Sequence, residues 1–181
     1  MRTRAALCAT VAIAVAMVSG CRADGRAEAA PPGTNAAPAA VGDPCARLDP
    51  AGLKAITGWD LAGGSRPTGH EQPGQAVCNW EATDRQGAVQ LQEHAGGGQA
   101  SFDRRRSAVT TLGLPAPVEL HVPGADAAYE VPGHGIVGLL VNGTFAQVQV
   151  FGTFPTASGD AGDARPLVAL ATAVVTSETH P

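Results

Sequence analysis

The chain is nearly free of lysine. Of its 12 basic residues only Lys54 is lysine, and 16 residues are acidic. That balance excludes the basic surface a nucleic-acid partner needs and the polybasic patch that draws a protein to anionic lipid. Catalytic signatures are missing too. There is no G-x-S-x-G elbow and no S-x-x-K pair, and the Gly96–Gly98 run opens neither a Walker sequence with its lysine nor a G-x-G-x-x-G. None of the five histidines (70, 94, 121, 134, 180) has a partner at ligand spacing, and no C-x-x-C pair occurs. No metal site, cofactor or catalytic residue is expected, and no apolar run is long enough to span a bilayer. The longest early one, residues 5–18, covers about 21 Å at ~1.5 Å per residue, against a hydrocarbon core of about 30 Å.

That short run follows Arg2 and Arg4 and ends in Val18-Ser19-Gly20-Cys21. A charged start, a short apolar stretch and small residues at its end describe a secretory signal. The ending resembles the bacterial lipobox, in which an aliphatic and two small residues precede a cysteine. The resemblance implies removal of residues 1–20 and a diacylglyceryl group on the Cys21 sulfur. An ordinary secreted protein whose signal happens to hold a cysteine is the competing reading. Export removes two arginines and leaves ten basic against sixteen acidic residues, a net charge of −6.

Residues 22–42 hold three prolines, three glycines and eight alanines, with Val41 their one larger aliphatic side chain. Such a stretch buries too little apolar area to offset ordering. It reads as a tether reaching roughly 25 Å as a flexible coil. Residues 43–181 have the length of one domain. Cys8 leaves with the signal and Cys21 takes the lipid, so Cys45 and Cys78 remain. An even pair in an oxidising compartment favours a disulfide. Two free thiols or half a metal site are the alternatives.

Within the domain, Asp49 and Pro50 open a helix that Gly58 closes, with Leu48 and Leu53 placed as a hydrophobic staple. Strands are predicted over 76–83 and 88–93. In the second, Val89 and Leu91 share one face and Gln90 and Gln92 the other. After Gly96-Gly97-Gly98, read as a flexible connection, a helix is predicted over 100–112 with Phe102, Val109 and Leu112 inward. Four extended stretches follow, at 118–122, 127–131, 136–141 and 144–151. The last two are joined by the hairpin signal Asn142-Gly143. A helix over 164–177 closes the chain, its inward stripe Leu167, Leu170, Ala171 and Val174. Hairpins broken by helices predict an α+β domain: an antiparallel sheet with helices packed on one face, and one disulfide.

Asp43-Pro44-Cys45, the Gly58-ended helix and Cys78-Asn79-Trp80 together resemble an actinobacterial lipoprotein family called domain of unknown function 3558. The arginine-heavy, alanine-rich composition looks like a high-GC genome, in keeping with that group. The resemblance covers most of residues 43–181 and implies no catalytic residues. Extracellular sensor-type domains of actinobacterial kinases and lipoproteins are a related likeness.

The expectation is a lipid-anchored protein on the extracytoplasmic face of the cell membrane. It would be a monomer that binds an envelope protein or small ligand without making bonds. An envelope hydrolase and a sensor accessory to a signalling protein are the rival functions. Trp59 and Trp80 are core candidates that would contact a sugar or lipid if they lined a cleft. Arg104-Arg105-Arg106 is read as a solvated helix face, because consecutive residues spread around a helix.

Overall fold

A computed structural model of the chain describes residues 42–69, 72–152 and 165–179. The signal segment, Cys21 and the tether up to residue 41 lie outside the described residues, as do His70 and His180. Asp43 starts a short 3-10 turn, Pro44–Ala46, by accepting the Cys45 N–H. Helix α1, Pro50–Thr57, follows as the sequence predicts. The Asp49 carboxylate accepts from the Ala51 and Gly52 N–H groups, Pro50 fills the first turn, and Gly58 ends the helix at φ 77°. That left-handed conformation is one that glycine adopts without a Cβ penalty. Leu48 and Leu53 are both buried, as staple positions should be.

The remaining elements are β1 (Gln75–Glu81), β2 (Gly87–His94), α2 (Gly98–Thr111), β3 (Val118–Glu119), β4 (Ala127–Val131), β5 (Ile136–Val141), β6 (Thr144–Gly152) and α3 (Arg165–Thr179). The six strands form one sheet in the order β1-β2-β6-β5-β4-β3, antiparallel at every pairing. The β5–β6 turn uses Asn142 and Gly143 at φ 49° and 75°. Two successive positive φ values match the twist of the flanking strands, which is why Asn-Gly is favoured there. The α+β class, the antiparallel sheet and the disulfide are as the sequence predicts.

The placement of helices on one face is corrected. Val89, Leu91, Val137, Leu139, Val148 and Val150 point to one side, where Leu53 of α1 and Leu167, Leu170, Ala171 and Val174 of α3 cover them. Tyr129, Val131, Leu140 and Phe145 point to the other, where Phe102 and Val109 of α2 cover them. The glutamines of β2 and β6 suggest one wet face, but β5 is apolar on both. A strand apolar on both sides needs a layer on each. Leu112, expected inward, is 72% exposed. It is the C-cap of α2, and Leu114 packs against the aromatic cluster instead. The stretch predicted over 118–122 pairs only at Val118 and Glu119.

Candidate functional site

Trp59 and Trp80 are 3% and 0% exposed, in the core shared by α1, α3 and the sheet. Backbone approaches both rings closely. A Cβ on Gly87 would lie 2.4 Å from Trp59 Cζ2, and one on Gly64 would lie 2.8 Å from Trp80 Nε1. The tryptophans are packing residues, and neither lines the grooves described below. Cys45 and Cys78 are joined, with Cα atoms 5.2 Å apart. The bond ties the 3-10 turn to β1.

Beside it lies a buried charge cluster. Arg47 Nε is 3.4 Å from Glu93 Oε1, and Arg47 Nη2 is 2.9 Å from Glu178 Oε1. Arg47 Nη1 also donates to the Ser177 carbonyl at 3.1 Å. One guanidinium thus fastens the N-terminal turn to β2 and to the end of α3. Glu93 is 0% exposed, and among the described residues neither of its oxygens has a hydrogen-bond partner. Burial, then the like charge of Glu178, pushes its carboxyl up to about 7, against the pull of Arg47. Within the cluster Glu93 is sealed from solvent, whereas Arg47 and Glu178 stay partly exposed, Arg47 on the wall of a neighbouring groove. A groove of about 540 Å³ runs alongside it between α1 and α3, floored by Leu48, Leu53 and Ile56.

The opposite face of β2 carries a different groove. About 500 Å³ opens where β1 and β2 meet α2, lined by Gln75, His94, Ser101, Arg104, Arg105 and Ala108 among others. The helix supplies a coherent wall, because positions 101, 104, 105 and 108 follow the i, i+3, i+4, i+7 spacing of one helix face. Arg104 and Arg105 therefore share this groove, although consecutive residues stand ~100° apart on a helix.

His94 forms the opposite wall. It pairs with Gln75 across β1–β2 and with Phe145 across β2–β6. Its ring stacks on Phe145 at 5.4 Å, and Phe145 in turn meets the edge of Phe102 at 6.1 Å. The imidazole is thereby held by an aromatic cluster. Its Nε2 is buried and has no hydrogen-bond partner among the described residues. Burial, then the charges of Arg105 and Arg104, lowers its pKa, so the ring is neutral near neutral pH.

Gly96 borders this groove at φ 74°. The glycine run is more than a loose connection. A Cβ on Gly98 would stand 2.0 Å from the Gly143 carbonyl oxygen, so glycine is what lets α2 start against the β5–β6 turn.

His121 and His134 are exposed, and no group of three His, Cys, Asp or Glu is placed to hold a metal ion among the described residues. None of the described helices is long and apolar enough to cross a membrane. The basic groove escaped the sequence reading, although the spacing of Ser101, Arg104, Arg105 and Ala108 was there to find. His94 could be placed opposite them only once the strand order was known. Comparison with known proteins finds no family model, no curated protein and no solved structure that matches the chain.

Proposed function

We propose that this chain is a lipoprotein held to the extracytoplasmic face of the cell membrane through Cys21. There it would act as a non-catalytic binding domain of the cell envelope, similar to the family called domain of unknown function 3558. The observation that carries the reading is Val18-Ser19-Gly20-Cys21 at the end of a short apolar run, ahead of a domain fastened by a disulfide. A disulfide that closes a loop in a chain of this kind supports an oxidising compartment. Each buried methylene contributes about 0.8 kcal/mol, so two or three long acyl chains on one residue anchor a domain durably. Binding is favoured over hydrolysis by the basic groove. His94 and Ser101 share it, but among the described residues no Asp or Glu lines it to orient the imidazole as a general base.

Membrane fractionation tests this. The wild-type chain should sediment with membranes, resist a high-salt wash and be released by detergent. Cys21→Ala should lose detergent-dependent release. Recovery of the wild-type chain in the cytosolic fraction, or its release by salt alone, would refute the anchor.

A further inference from the structure

We propose that the groove between β2 and α2 binds a phosphate-type oxyanion, with Arg104, Arg105 and His94 as its recognition groups. The inference rests on the binding reading above and gives it a site and a ligand class.

Three observations converge. Arg104 and Arg105 line one wall, and among the described residues neither forms an ion pair. They present guanidinium forks in a chain whose overall charge is negative, so the groove is a local positive site on an acidic protein. Facing them, the His94 ring lines the groove, and its Nε2, closed off from solvent, has no hydrogen-bond partner among the described residues, a costly arrangement that is relieved when the ring turns toward a ligand oxygen. The stack on Phe145 keeps the ring in the groove wall without using its nitrogens.

Ser101 and Gln75 add neutral polar groups at the rim. A carboxylate is satisfied by one guanidinium fork. Two forks and an imidazole donor suit a tetrahedral group with three or more oxygens. A volume of about 500 Å³ falls within the usual range for a small-molecule site, larger than phosphate alone, so the natural ligand carries a further moiety. A free phosphorylated small molecule and a phospholipid headgroup share this chemistry.

Among the described residues, the charged groups facing His94 are Arg104 and Arg105 of α2. Its in-register neighbours, Gln75 on β1 and Phe145 on β6, carry no charge. A bound anion therefore stabilises the protonated imidazole against both arginines, and affinity should rise as pH falls.

The test uses the full chain in non-ionic detergent, titrated with inorganic phosphate in one arm and with micelles containing phosphatidylglycerol in the other. The readouts are calorimetry and the NMR titration of the His94 imidazole. Saturable binding should raise the His94 pKa. The double variant Arg104→Ala/Arg105→Ala, both on an exposed helix surface, should weaken binding roughly tenfold or more while unfolding like the wild type.

Binding of inorganic phosphate supports a free ligand. Binding only of the lipid micelles, lost in the double variant, supports a headgroup. Sulfate, which does not titrate near neutral pH, should bind the wild type more tightly as pH falls and bind His94→Gln with little pH dependence. The proposal is overturned if neither anion moves the His94 signal. It is equally overturned if the double variant binds as the wild type does. A chain that ignores both anions but still fractionates with membranes would overturn the groove site alone and leave the anchor standing.

Discussion

Replacing Glu93 by glutamine should stabilise the protein at pH 8 relative to pH 4.5. The carboxyl sits on the core face of β2 with no hydrogen-bond partner among the described residues. Desolvation and the charge of Glu178 outweigh Arg47 and raise its pKa from about 4.5 to about 7. The sign follows from where the proton resides. Below pH 4.5 the group is protonated in both states and contributes no difference. Between 4.5 and 7 the folded chain keeps a proton that the unfolded chain has lost, so stability falls as pH rises. Above 7 both states are ionised and the full cost of the buried charge remains. At about 1.4 kcal/mol per pH unit of displacement, that cost is about 3 kcal/mol. Glutamine keeps the shape and removes the titration, so the difference between variant and wild type should grow by that amount from pH 4.5 to pH 8. Comparing the two pH values cancels any fixed packing cost of the substitution. Urea unfolding of the full chain, followed by the fluorescence of buried Trp59 and Trp80, gives the numbers. If the wild type gained on Glu93→Gln as pH rose, the Arg47 ion pair would outweigh burial and the reasoning would fail.

Other expectations follow from single contacts. Reducing Cys45–Cys78, with 33 residues of separation, should cost roughly 3–4 kcal/mol by the chain-entropy argument, read as a lower urea midpoint in the presence of reductant. An unchanged midpoint would mean that the bond constrains little in the unfolded chain. Gly98→Ala forces a Cβ against the Gly143 carbonyl and should destabilise by about 3 kcal/mol, because backbone rather than a flexible side chain must move. A melting temperature within a degree of the wild type would contradict that packing.

Much of the fold could be read in short signals, because those signals act locally. Asp49, Pro50 and Gly58 delimit α1 through groups within a few residues of one another, and Asn142-Gly143 fixes a hairpin by its own φ angles. The inward stripe of α3 was equally plain, since Leu167, Leu170, Ala171 and Val174 repeat at helical spacing. Sidedness was not local. Which face α2 covers depends on β5 being apolar on both sides and on β6 entering beside β2. The charge cluster joins Arg47 to a carbonyl 130 residues away, beyond the reach of any motif. Glu93 was partly legible, since strand alternation places it on the face of Val89 and Leu91. The spacing of Ser101, Arg104, Arg105 and Ala108 marks one wall of the groove, but His94 meets that wall only across the fold, so the site as a whole has no local signal.

Intact mass spectrometry of the chain extracted from membranes by detergent addresses the central claim most directly. A polypeptide beginning at residue 21, heavier than its sequence by a diacylglyceryl group on that cysteine, is the predicted result. A chain that begins elsewhere, or whose Cys21 carries no lipid, would contradict it.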